Sequence, residues 1–315
     1  MATSHVPLRV GVVQFAPQLG QVQDNIDKAQ RICSKIQPRS IDLLCLPEMI
    51  FSGYCFPDSD SITPFLEHPR TGPTARFCAE WARRLQCHVV AGFPERLEAD
   101  EVEPGVDHEG NAIERVGANS AVLCGPDGWV GGYRKTNLFR VDTTWAKPGT
   151  GFATFHLPSP IGTVTLGICM DLNVQPPTLW TVKDGPYEIA QHCIDTNSNL
   201  LVMLNAWLDS GESPEEDEDW QTIRFWSARL RPLWAANSDD LTEVSDGSET
   251  PEANASSDGR RTTVVLCNRC GDEDGVVFAG SSTLFSFQQG TGKPRILEVM
   301  ERNEEDVGIW EARYT

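Results

Sequence analysis

Thr163-Val164-Thr165-Leu166-Gly167-Ile168-Cys169-Met170-Asp171-Leu172-Asn173 is an apolar run that breaks into a polar turn, with a cysteine at the break. The β-branched and aliphatic residues up to Ile168 suit a strand. The turn beyond it leaves backbone N–H groups free to face a developing oxyanion. A thiol on such a rigid base can act as a nucleophile, although free cysteine also packs readily at a buried strand end. Segments of the same design recur along the chain: residues 8–15, 43–46, 88–93, 120–124, 200–204, 262–268 and 282–287 also read as strands. Helical patterns fall between them, at 25–36, 74–85, 187–196 and 220–233. In the first of these, Ile26, Ala29, Ile32, Cys33 and Ile36 share one face behind a polar start at Asn25. Strands alternating with helices predict an α/β fold whose sheets are covered on an outer side by helices.

Two more strand ends carry reactive groups. In Asp42-Leu43-Leu44-Cys45-Leu46-Pro47-Glu48 the proline removes a backbone donor, which should end the ladder and turn the Glu48 carboxylate outward. Gly131-Gly132-Tyr133-Arg134-Lys135-Thr136 delivers an amine in the same way. Taken singly, Glu48 and Lys135 read as solvated loop charges. Taken in order with Cys169, at separations of 87 and 34 residues, they form a pattern.

That pattern resembles the catalytic triad of the nitrilase superfamily of thiol amidohydrolases, in the strings Leu46-Pro47-Glu48, Tyr133-Arg134-Lys135 and Gly167-Ile168-Cys169-Met170-Asp171. The resemblance extends through Val10 to Phe15 and Asn25, Ala91-Gly92-Phe93-Pro94-Glu95, Asn205-Ala206-Trp207, Ala228-Arg229, Asn268-Arg269-Cys270-Gly271 and Phe278-Ala279-Gly280-Ser281-Ser282. It implies a four-layer α-β-β-α sandwich of the nitrilase type, with Cys169 as nucleophile, Glu48 as base, and Lys135 with the Met170 N–H as oxyanion donors. A cationic Lys135 beside Cys169 would favour the thiolate. Within the superfamily, Ser52-Gly53-Tyr54-Cys55-Phe56 and Asp171-Leu172-Asn173 are most similar to the eukaryotic protein N-terminal amidase branch, which deamidates Asn or Gln at a protein's N-terminus. Many relatives carry Arg where this chain has Asn173, which points away from the small-amide and carbamoyl branches. An amidase for a free small amide, nitrile or carbamoyl compound is the alternative.

For a terminal substrate, a buried α-ammonium requires carboxylate or carbonyl partners, and Asp171 and Asp142 are the nearest candidates. Tyr54, Phe56, Trp145, Asn173 and Trp207 are candidate pocket walls, the aromatics having core packing as their other reading. Many members of the superfamily have a second glutamate shortly before the Pro-Gly that here is Pro148-Gly149. This chain has none there, leaving Asp142 or Thr144 to take its place.

Composition excludes several classes. The chain has 315 residues, 40% apolar and 23% charged, and a formal net charge of −19, which argues against a nucleic-acid partner. One hydrolase domain over 1–315 is expected. The 209–219 stretch holds seven carboxylates, and reads either as a solvated loop or as an element that steers an ammonium. Residues 238–260 are rich in Ser, Asp and Glu and are expected to form a disordered acidic insertion. No apolar run is long enough for a membrane span, no secretory signal is visible, and the ten cysteines read as reduced thiols, so a cytoplasmic setting is expected. Cys267 and Cys270 form a lone C-x-x-C, and the six histidines have no metal-ligand spacing, so neither metal nor cofactor is expected.

Overall fold

The computed structural model describes residues 6–236 and 259–312. The first half of the chain runs β1 (Leu8–Gln14), α1 (Val22–Cys33), β2 (Leu43–Leu46), a short α2 (Ser59–Ile62), α3 (Pro73–Leu85), β3 (His88–Arg96), a small hairpin of β4 (Glu103–Val106) and β5 (Ala112–Arg115), β6 (Gly117–Gly125) and β7 (Gly128–Arg134). The second half runs β8 (Ala153–Leu157), β9 (Gly162–Ile168), α4 (Glu188–Asp195), β10 (Leu200–Asn205), α5 (Trp220–Arg229), β11 (Arg261–Asn268), a hairpin of β12 (Cys270–Glu273) and β13 (Val276–Ala279), β14 (Thr283–Gln288), β15 (Arg295–Val299) and β16 (Asp306–Ala312). One six-stranded sheet has the order β16-β1-β2-β3-β6-β7, the other β15-β14-β11-β10-β9-β8.

Strand periodicity explains the layers. In β2, Leu43 and Cys45 face the opposite sheet while Leu44 and Leu46 face the helices; in β10, Leu200, Val202 and Leu204 point inward and Leu201 and Met203 outward. The inward residues of both sheets meet in one core. Ala29, Ile32, Phe77 and Trp81 of α1 and α3 cover the first sheet, and Ile189, Cys193, Ile223 and Trp226 of α4 and α5 cover the second. The result is the expected four-layer α-β-β-α sandwich. No helix among the described residues is long and apolar enough to cross a membrane.

Two local expectations change. Helix α1 begins at Val22 rather than Asn25, and Asn25 lies buried inside it. The Asn25 amide donates to the Gln18 and Phe51 carbonyls and accepts from the Gln18 N–H, so its polarity serves a loop tether, not a cap. The 209–219 stretch is not simply solvated. Asp219 caps α5 by accepting from the Thr222 N–H, and Arg302 donates to the side chains of Asp209 and the carbonyl of Glu212. The 238–260 insertion lies, except for its last two residues, outside the described residues.

Candidate active site

The parallel strands β2, β9, β10 and β11 all end at the same end of the sandwich, and antiparallel β6 begins there. That single fact gathers groups distant in sequence. Glu48 follows β2, Lys135 follows β7, Cys169 follows β9 and Ala206 follows β10. Along β7 side chains alternate, so Arg134 points to the other face, where it pairs with Glu95 at 2.8 Å and Glu101 at 2.7 Å and anchors the strand end.

Glu48 is fully buried and every lone-pair direction but one is occupied. Its Oε1 accepts from Lys135 Nζ at 2.7 Å and Asn119 Nδ2 at 2.7 Å, and its Oε2 accepts from the Ala206 N–H at 2.7 Å. The loop can come this close to β3 only because residue 92 is glycine: a Cβ there would sit 2.5 Å from the Glu48 Cα. Lys135 is equally buried and shared. Its Nζ donates to Asp142 Oδ2 at 2.6 Å as well as to Glu48. Burial works against the ammonium, but Asp142 and Glu48 together raise its pKa, so Lys135 stays a cation.

Asp142 therefore occupies the position left open beside Lys135, accepting also from Asn119 Nδ2 and the Phe139 N–H, both at 2.9 Å. Thr144 does not compete: its hydroxyl donates to the Val141 carbonyl. Burial raises the pKa of Glu48, and the neighbouring Asp142 charge adds to this against the pull of Lys135.

Cys169 sits at the mouth of this cluster with φ of 41°, a left-handed conformation that is costly for a side chain bearing a Cβ. Its N–H donates to Asn205 Oδ1 at 3.1 Å. Met170 is the next residue of the single turn Cys169–Leu172, and N–H groups at the start of such a turn have no partner within it. At the thiol, the expected pull of Lys135 toward the thiolate is present but outweighed. Burial first, then the Glu48 charge, hold its pKa well above the ordinary value, and Lys135 only partly opposes them. Burial and the Glu48 charge thus favour the protonated form of the thiol.

Asp171 is placed differently from the expected substrate contact. Its Oδ1 accepts from the Thr136 and Asn137 N–H groups, and its Oδ2 from the Tyr133 hydroxyl and the Ile168 N–H. Four donors exhaust a carboxylate. Burial pushes its pKa up to about 6 against the pull of those donors. Asp171 thus ties the Lys135 loop to the Cys169 loop and has no acceptor left for an ammonium; Asp142, with three donors, is likewise turned inward.

A pocket of about 170 Å³ opens over the thiol, lined by Phe139, Cys169, Met170, Asn173, Ala206, Trp207 and Leu208. Of the expected walls, Asn173 and Trp207 line it. Tyr54 lies behind, its ring centroid 5.6 Å from Lys135 Nζ. Trp145 and Phe56 do not line it: both are core, with Phe56 packed on Phe65 at 5.2 Å. Sequence reading missed Asn119, Phe139, Asn205, Ala206 and Leu208. Two of them had a signal, since Asn119 and Asn205 are amides interrupting or ending otherwise apolar strands.

The carbon-nitrogen hydrolase model matches residues 9–187, more than half of the chain, and spans Glu48, Lys135 and Cys169. The chain belongs to the carbon-nitrogen hydrolase family. A protein N-terminal amidase of Schizosaccharomyces pombe is 27% identical over 300 residues, covering 90% of this chain and 92% of that one. A nitrilase of Pyrococcus abyssi is 29% identical over 307 residues, covering 96% and 89%. Among solved structures, an N-terminal amidase with an Asn-Glu-Ala peptide shares the fold, with a TM-score of 0.76 and 21% identity over 98% of both chains.

Proposed function

We propose that this hydrolase is a protein N-terminal amidase, converting an N-terminal Asn or Gln to Asp or Glu with release of ammonia. The observation that carries the reading is the buried Glu48–Lys135 contact of 2.7 Å beside the Cys169 thiol, under a pocket of about 170 Å³. Similarity to the S. pombe amidase along nearly the whole chain supports the substrate class.

In this mechanism Glu48 accepts the thiol proton as Cys169 Sγ bonds to the carboxamide carbon. Lys135 and the Met170 N–H carry the charge that develops on the carbonyl oxygen. Glu48 then delivers the proton to the departing nitrogen, the C–N bond breaks, and ammonia leaves a thioester on Cys169. A water molecule, deprotonated by Glu48, attacks the thioester; the C–S bond breaks and the proton returns to sulfur. The net change is one carboxamide and one water giving one carboxylic acid and one ammonia. The polar side chain lining the pocket is that of Asn173. Its Nδ2 donates to Met170 Sδ at 3.4 Å, which leaves Oδ1 to accept from the substrate ammonium.

Ammonia release from Asn- and Gln-peptides, acetyl-Asn-peptides, and free asparagine and glutamine tests the proposal. Terminal peptides should be hydrolysed, acetylation should abolish the reaction, and Cys169→Ala should be inactive. Turnover confined to free amides or nitriles would replace the reading with the small-molecule branch.

A further inference from the structure

Asn268-Arg269-Cys270-Gly271 is a sequence feature that the chemistry above leaves unused. Arg269 follows β11 directly and is wholly buried. Its guanidinium lies 3.9 Å from the centre of the Phe278 ring, donates to the Pro17 carbonyl at 3.3 Å, and forms an ion pair with Glu273. Glu273, also buried, uses its other oxygen to accept from the N–H groups of Tyr54 and Cys55, each at 2.9 Å. The contact is close enough to dictate sequence. Gly53 has φ of +80°, and a Cβ on it would lie 2.8 Å from Glu273 Oε1. The Tyr54 ring is held between Phe278, edge-on at 6.3 Å, and the Lys135 ammonium.

Resting on the reading of Cys169, Glu48 and Lys135 as the reacting groups, we propose that Arg269 and Glu273 are positioning residues for the reaction, acting through Tyr54. A carboxylate brought into a dry site needs a cation to make its burial tolerable. Arg269 supplies it, Glu273 clamps the Tyr54 backbone, and the ring lies against the ammonium that serves the oxyanion. An aromatic face beside a buried cation stabilises it where it stands and keeps water from it. The same hairpin fixes the opposite pocket wall, because the Ala279 N–H donates to the Trp207 carbonyl at 2.9 Å and the Asp209 N–H to the Val277 carbonyl at 2.9 Å. One ion pair at the root of β12 therefore sets the distance between the Tyr54 side and the Trp207 side of the site.

The test is a double-mutant cycle in the full chain. Ammonia release from an Asn-peptide and alkylation of Cys169 by iodoacetamide are measured for wild type, Glu273→Gln, Tyr54→Ala and the double variant, with Cys169→Ala as control. Glu273→Gln should lower kcat by about tenfold, equivalent to about 1.4 kcal/mol of coupling, with KM changed by less than about twofold. In the Tyr54→Ala background it should have no further effect on kcat or on the alkylation rate. Additive losses, or wild-type kcat with a lowered Tm, would show a merely structural pair and overturn the proposal. If Glu273→Gln fails to fold, Arg269→Lys, which keeps the charge and loses the fork, takes its place in the cycle; a pair whose every change unfolds the chain is structural, and the proposal falls. Activity surviving in Cys169→Ala would instead refute the reading of the site itself.

Discussion

Asp142→Asn separates the electrostatics of the site from its shape. Asp142 Oδ2 and Glu48 Oε1 both accept from Lys135 Nζ, at 2.6 and 2.7 Å, so these two oxygens are at most 5.3 Å apart, the sum of those distances. At an effective dielectric constant of about 20, two like charges at that separation repel by ~3 kcal/mol. The neighbouring charge raises the Glu48 pKa, so its removal should lower it. Glu48 must be ionised to take the thiol proton. The acid limb of kcat/KM should therefore move to lower pH, while the maximal rate falls because Lys135 loses a positioning partner. Profiles should be recorded with an Asn-peptide and, independently, as the pH dependence of Cys169 alkylation by neutral iodoacetamide. An acid limb that stays in place or moves upward in both assays would refute the placement of Asp142 and Glu48 around one ammonium.

Gly92→Ala should lose most activity, because its new methyl would lie 2.5 Å from the Glu48 Cα; circular dichroism with ammonia release would show folded but slow enzyme, and unchanged kcat would contradict the contact. Asp171→Asn should depress turnover of an Asn-peptide and of a small amide by the same factor, since Asp171 orients the loops and has no acceptor for the substrate amine; a loss confined to the peptide would restore it as the amine's partner. Glu67, whose carboxylate accepts from the Thr74 N–H and hydroxyl, has its pKa pushed up by burial to about 7 from 4.5. Its neutral form favours the fold below pH 4.5, and that contribution is lost as pH rises through 7, up to ~3 kcal/mol. Urea denaturation of Glu67→Gln should show a flatter stability profile over this window, and parallel profiles would rule the assignment out.

The core of both sheets was legible in the sequence because buried parallel strands are continuous apolar runs. Strands 43–46, 163–168 and 200–204 lie where such runs occur, within a residue or so at each end. The strands that escaped reading, β4, β5, β8, β12, β13, β15 and β16, are four to seven residues long and partly exposed, and β16 pairs with β1, remote in sequence. The site divides on the same line. Glu48, Lys135 and Cys169 announce themselves as reactive groups at strand ends, whereas Asn119 and Ala206 matter only through a side-chain amide and a backbone N–H aimed at Glu48. Asp171 misled for a related reason. A carboxylate near a nucleophile suggests a ligand contact, and only the fold shows that four donors had already claimed it.

Glu48 and Lys135 rise from one sheet, and Cys169 and Ala206 from the other. The chemistry consequently belongs to neither half of the molecule. A chain with one sheet formed has its acid and amine, or its thiol, but no assembled catalyst, and the first sheet itself includes β16, far along the chain, flanking β1. Activity should thus appear in a single step, when the two sheets have come together.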